Sequence, residues 1–407
     1  MATMTQTTIS DPIALDAQHV LQVYRRAAVV FDHGDGSALF TRSGERYLDL
    51  ISGVGVASLG HAHPGLARAI GEQAATLLHT SNLFHHPLQS ELALRLSELS
   101  GLPRAFFCNS GAEAVEACLK FSRRFWHAQG TPRTNFVAFT HSFHGRTMGA
   151  VSVTWDEHYR APFQPLVPGV TFVDPSDIAA IAAAVTADTA AVIVEPIQGE
   201  GGVRPITQAA ADAIAAACRR TGALLIADEV QCGLGRTGQA FYSSALGLQP
   251  DLMALGKALG AGVPIGAAMF SDRVAAAAKP GDHGSTYGGN LLACRAALFF
   301  LDQLTGHGLM QQVARTGAHL ERGLRAIASR QPAIKDVRGA GVMWGIEIDR
   351  PAAAVVQAAL DRHLLINRTS DTVVRLLPPY VITETEIDEA LPLLEAAIAT
   401  VVEAPRS

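Results

Sequence analysis

Apolar residues in this chain gather in short unbroken runs between stretches of helical spacing, and several runs end on chemistry. The run Ala223-Leu224-Leu225-Ile226-Ala227 delivers the acidic pair Asp228-Glu229. A run of this kind predicts a buried strand, and an acid at its carboxyl end stands where open α/β sheets place their ligands. After a Pro250-Asp251 break, a second apolar approach reaches Lys257, with Gly256, Gly260 and Gly262 leaving room around the amine. Further strands are predicted at 105–108, 136–139, 191–194, 340–348 and 373–376. Helical spacing covers 64–100, where Leu88, Leu92, Leu96 and Leu99 share a face, and returns from near Ala112, from about 291 and over 384–402. Short strand-like pieces at 38–40 and 47–51, with turns at Gly34, Gly36 and Gly44, give an irregular amino-terminal stretch.

Strands alternating with helices over 407 residues imply an α/β enzyme of two domains sharing one site. Hydrophobic content of 48% against 17% charged residues supports a large buried core, and a net charge of −5 gives no pull toward nucleic acid or an anionic membrane. Five scattered cysteines without a Cys-x-x-Cys spacing read as reduced thiols of a cytoplasmic protein. Met1 to Asp11 carries no lysine, arginine or apolar core, so the expectation is a frayed tail and neither a signal peptide nor a transit sequence. No apolar run reaches the roughly 20 residues of a membrane helix.

A buried lysine whose amine is kept neutral forms Schiff bases with carbonyl compounds, and a buried Asp is the usual partner of a pyridinium nitrogen. Lys257 and Asp228 fit those roles, although two isolated charged residues are more often surface groups. Ser110-Gly111 ahead of a helix near Ala112 could be a simple N-cap or a cup of free N–H groups for phosphate. His61-Ala62-His63 lacks a third ligand, so no metal is expected. Gly233-Leu234-Gly235-Arg236-Thr237-Gly238 has the glycine spacing of a dinucleotide site but neither the adjoining strand nor the helix one requires.

Seven stretches decide between these readings. They are Leu59-Gly60-His61-Ala62-His63-Pro64, Phe107-Cys108-Asn109-Ser110-Gly111-Ala112-Glu113-Ala114, Phe143-His144-Gly145-Arg146-Thr147, the segment from Val194-Glu195 to Gly202, Asp228-Glu229-Val230-Gln231, Gly256-Lys257-Ala258 and Gly284-Ser285-Thr286-Tyr287-Gly288-Gly289-Asn290. In that order they resemble the class III, fold-type I aminotransferases that use pyridoxal 5'-phosphate, and among them the acetylornithine aminotransferases. The resemblance implies a large domain with a mainly parallel seven-stranded sheet over 71–290, and a smaller α+β domain built from 1–70 and 291–407.

It also implies roles. Lys257 and Asp228 would be catalytic, with Phe143 stacking on the cofactor ring and Gln231 reaching its phenolic oxygen. Ser110, Gly111, Ala112 and Thr286 would hold phosphate, Thr286 from the other subunit of a homodimer. Arg146 would take the carboxylate of the amino donor, and Glu195 would pair with Arg375 until the α-carboxylate of 2-oxoglutarate arrives. Tyr24, Val54 and Ser285 would line the pocket. Free-ornithine enzymes usually have tyrosine where this chain has Val54, which points to N2-acetylornithine as donor and to arginine biosynthesis. Leu83-Phe84-His85-His86-Pro87 departs from the family's aromatic-Asn-Glu pattern. N-succinylornithine, ornithine, N-acetyllysine and 4-aminobutyrate remain alternative donors, and an aminomutase an alternative reaction.

Overall fold

The structure, a computed structural model, describes residues 11–403, so nearly all of the tail expected to fray lies outside the described residues. At its centre is a seven-stranded sheet in the order Arg104–Cys108, Gly266–Phe270, Leu252–Leu255, Leu224–Asp228, Thr189–Val194, Asn135–Phe139 and Val170–Val173. Only Gly266–Phe270 runs antiparallel to its neighbours. The sheet is thus mainly parallel, as expected, and its central strands are covered on both faces.

Leu224–Asp228 shows why the apolar runs carry no polar alternation. Leu224 and Ile226 pack on one side with Ala114, Val115 and Cys118 of the helix Gly111–Ala128. Leu225 packs on the other with Ile214 and Ala217 of the helix Gln208–Thr221. Each such burial is worth about 1.5–3 kcal/mol. Strand periodicity puts Asp228 on the same face as Leu224 and Ile226, toward the helix Gly111–Ala128.

Both ends of the chain build the smaller unit. Leu364–Leu365 joins Phe31–Asp35, Ala38–Thr41 and Arg46–Asp49, pairing Leu364 with Leu48 in parallel. A second small sheet runs Ile334–Ala340, Met343–Ile348, Val373–Leu376 and Asn367–Arg368, all antiparallel. Residue 70 falls inside the helix Pro64–Thr76, and Asn290 caps the helix Leu291–Leu301.

The helical spacing read through 64–100 is not one helix. It breaks into Pro64–Thr76, which stops where Leu77 turns extended, and Pro87–Ser100, which cannot start earlier because Pro87 disfavours helical geometry at His86. Each helix starts on a proline capped by the preceding histidine, His63 Nδ1 accepting from Leu66 N and His86 Nδ1 from Leu88 N, both at 3.2 Å. His61 Nε2 meets Asp49 Oδ2 at 2.8 Å. Both histidines of His61-Ala62-His63 thus have structural partners. Gly233 to Gly238 forms turns and opens no helix, and Arg236 within it is fully buried, bonded to Gly55 and Pro378 carbonyls.

Candidate active site

Five strands that run in the same direction bring their ends to one place, four of them consecutive in the sheet and Arg104–Cys108 beyond the antiparallel Gly266–Phe270. Arg104–Cys108 leads to Ser110, Leu252–Leu255 to Lys257, Leu224–Asp228 ends on its acid, Thr189–Val194 leads to Glu195 and Asn135–Phe139 to Phe143 and His144. Carboxyl ends of parallel strands are where such sheets hold ligands.

Lys257 starts a single 3-10 turn with φ of 43°, a left-handed conformation uncommon for a side-chain-bearing residue. Gly256 makes its placement possible: a Cβ there would come within 3.0 Å of the Gly111 backbone. A Cβ on Gly111 would in turn lie 2.5 Å from Val230 Cγ1. The lysine is thereby drawn against the start of the helix Gly111–Ala128. Burial pushes its amine below the ordinary lysine value; Arg375 acts the same way, while Glu200, Asp228 and Glu195 oppose.

Asp228 is buried and receives two hydrogen bonds, from Val230 N at 3.1 Å and from His144 Nδ1 at 2.7 Å. His144 is a functional residue that the sequence reading did not single out. Its Nε2 is buried and has no hydrogen-bond partner among the described residues. A histidine five places past the end of the strand Asn135–Phe139 signals little until the fold brings it to the acid.

At the helix start, Ser110 Oγ accepts from Glu113 N at 3.3 Å, and the Glu113 carboxylate returns to Asn109 N at 2.8 Å. Ser110 is therefore an N-cap in a reciprocal cap. The cap leaves the N–H groups of Gly111 and Ala112 as open donors among the described residues, at the positive end of the helix. Gly145 closes over them: a Cβ on it would stand 2.8 Å from Ala112 Cβ.

The structure corrects one expected pair. Glu195 does not meet Arg375: its two oxygens accept from Phe143 N at 2.7 Å and Gly199 N at 3.0 Å, tying it to the floor. Burial, with the Asp228 charge adding to it, raises its carboxyl above the ordinary value. The chain then runs out through the hairpin Ile197–Gln198 with Arg204–Pro205, and Glu200 at its tip reaches Arg375 Nη1 at 2.6 Å. Burial opposes ionisation of Glu200, but the Arg375 and Lys257 charges outweigh it and hold the carboxyl below its ordinary value. Gln231 sits at the same pair, 3.2 Å from Arg375 Nη1 through Oε1 and 3.5 Å from Glu200 Oε1 through Nε2.

The remaining expected residues are dispersed. Arg146 is exposed, its guanidinium 3.6 Å from the Tyr159 ring centroid and 5.5 Å from that of Phe143. Phe143, Tyr159 and Glu200 line one open cavity of about 700 Å³, with Arg25 and Arg368 at its wall. Val54, in a left-handed turn, packs against Ile197, Val203 and Leu377 beside the Glu200 hairpin. Ser285 Oγ meets Asn109 Nδ2 at 3.3 Å, whereas Thr286 beside it is exposed and Tyr24 is 70% exposed.

The sequence profile of the family described as Aminotransferase class-III matches residues 21–398. The chain is a class-III aminotransferase. It is 44% identical over 384 residues to the acetylornithine aminotransferase of Archaeoglobus fulgidus, covering 94% of this chain and 99% of that one. The acetylornithine aminotransferase of Gloeobacter violaceus is 43% identical over 385 residues, 94% and 96% of the two chains. Among solved structures, the ornithine aminotransferase of Toxoplasma gondii superposes with a TM-score of 0.92 at 34% identity, covering 96% and 95%. The N-acetylornithine aminotransferase of Stenotrophomonas maltophilia gives 0.84 at 33% identity, covering 97% and 100%.

The aminotransferase uses pyridoxal 5'-phosphate. Its residues fit that group: a low-lying lysine amine, a buried carboxylate with unused lone pairs, an aromatic beside them, and a glycine-lined helix start that any Cβ would fill. Among the described residues no helix is long and apolar enough to cross a membrane.

Proposed function

We propose that this aminotransferase moves the ω-amino group of N2-acetylornithine to 2-oxoglutarate, giving N-acetylglutamate 5-semialdehyde and glutamate. The observation that carries this is the buried Arg375 with Glu200 as a removable counter-ion, the arrangement one site needs to accept two different substrates in turn. The names of the relatives and the apolar Val54 beside the Glu200 hairpin support the acylated donor.

In this reading Lys257 Nζ would anchor the cofactor and, once released, would act as the base that takes the proton from the amine-bearing donor carbon and, in the second half-reaction, as the acid that protonates the acceptor carbon. When bound, the cofactor supplies an electron sink at its ring. Asp228 would keep the ring nitrogen protonated, and His144 holds Asp228 in place. Phe143 would cover the ring, Gln231 would serve its phenolic oxygen, and the N–H groups after Ser110, at Gly111 and Ala112, would hold the phosphate. Arg146 takes the donor's carboxylate.

The working unit is a cytoplasmic homodimer in which Thr286 crosses the interface to the phosphate, with Ser285 and Tyr24 at the pocket. Leu83, Phe84 and Tyr287 support this, being 84%, 69% and 64% exposed. Asn82 binds their two segments together through the Ser285 and Gly288 carbonyls. We read 71–290 as the cofactor-binding domain and the two flanks as the small one.

Half-reaction rates test the donor. N2-acetylornithine is expected to react at least about tenfold faster than ornithine or 4-aminobutyrate. Either of those outpacing it would overturn the assignment. N-succinylornithine is the second reading, favoured by Arg25 and Arg368 at the cavity wall, which could meet a charged acyl end.

A further inference from the structure

The Arg375 guanidinium has three partners, and they differ in kind. Glu200 is an anion at the tip of a hairpin rich in glycine, and it contacts Nη1 at 2.6 Å. Gln231 Oε1 is a neutral acceptor on the same nitrogen at 3.2 Å. The third, Asn367 Oδ1, accepts from Nε at 3.2 Å. Arginine can only donate, so the amide oxygen of Asn367 is the end that must face it. Asn367 stands directly opposite Arg375 in the antiparallel pairing of Asn367–Arg368 with Val373–Leu376, which fixes its approach.

A guanidinium grips a carboxylate with two parallel N–H bonds from one edge. With Nε taken by Asn367, the side edge of Arg375 is spent. The two Nη groups form the edge that remains, and Glu200 sits on it, at Nη1. Because Asn367 is neutral, it orients the cation without lowering its charge; on the Nη edge an arriving carboxylate meets one anion, Glu200, and one neutral acceptor, Gln231 Oε1.

We infer that Asn367 is a positioning residue for the oxo-acid half of the reaction: it sets which edge of Arg375 the substrate carboxylate meets. This deepens the proposed function and rests on Arg375 as the carboxylate site. The donor half-reaction, in which Glu200 stays on Arg375, does not depend on it.

The test combines glutarate binding to holoenzyme by calorimetry with rates of the two half-reactions, for Asn367→Ala and Asn367→Asp. Losing one hydrogen bond to a charged group should weaken glutarate and raise the KM for 2-oxoglutarate about tenfold. The rate with acetylornithine should stay within about twofold. Asn367→Asp should weaken glutarate further than Asn367→Ala, since a fixed anion neutralises Arg375. Equal losses in both half-reactions, glutarate affinity unchanged in Asn367→Ala, or parental affinity in Asn367→Asp would each overturn the inference. Glutarate binding the parent no better than Arg375→Leu would instead remove Arg375 as the carboxylate site, and the inference with it.

Discussion

The floor and the wall of this site are built to opposite standards. On the floor, His144 donates to Asp228 between side chains only 0% and 5% exposed, carried by the ends of two strands on either side of Thr189–Val194. On the wall, Arg375 is equally buried at 1%, but its counter-ion Glu200 is 28% exposed and rides a loop of glycines. Removing one partner of a buried hydrogen bond to a charged group costs about 1.5–3 kcal/mol, which suits a part used unchanged in every step. A pair whose anion is partly open to solvent, on a hairpin of two-residue strands, can exchange for a substrate carboxylate at far lower cost. One enzyme serving two substrates needs both standards side by side.

Removing the floor should therefore be catastrophic and even-handed. Lys257→Ala is expected to lower both half-reactions at least about 10⁴-fold, and Asp228→Asn about 10²-fold or more. Single-turnover rates with each substrate would check this, and a loss confined to one substrate would break the contrast. Changing the wall should be milder and lopsided. Glu200→Gln frees Arg375, so it should tighten glutamate and 2-oxoglutarate while slowing the acetylornithine half-reaction about tenfold. Parallel losses with both substrates would make Glu200 part of the floor.

The smallest effect joins the two regions through charge. Burial keeps the Lys257 amine below its ordinary value, so its neutral form persists at a pH where exposed lysines are charged; Glu200 works to raise it. Taking that anion away lowers the amine further. The acid limb of the pH–rate profile for cofactor capture by cofactor-free enzyme should move to lower pH in Glu200→Gln and stay put in Glu321→Gln, whose carboxylate pairs with Arg325 on the surface. Movement to higher pH would reverse the sign of the argument.

The floor was legible in the sequence because local pattern decides it. An apolar run buried on both faces must end somewhere, and Asp228 and Lys257 stand at such ends with glycines beside the lysine. The wall was less legible. Glu195 and Glu200 are five residues apart, and only the path of the hairpin selects Glu200 for Arg375. His144 and Asn367 depend on pairings across 84 and 8 residues that spacing does not reveal. The break between Thr76 and Pro87 hid because leucine spacing resumes in helical phase after it, although Pro87 marked the place.

The most direct measurement is a pair of crystal structures of the holoenzyme, one with glutarate and one without ligand. With glutarate, Glu200 should leave Arg375 and a glutarate carboxylate should take its place on the Nη edge, while His144 stays within hydrogen-bond distance of Asp228. Glutarate bound elsewhere with the Glu200–Arg375 pair intact, or a floor that shifts along with the wall, would contradict the account.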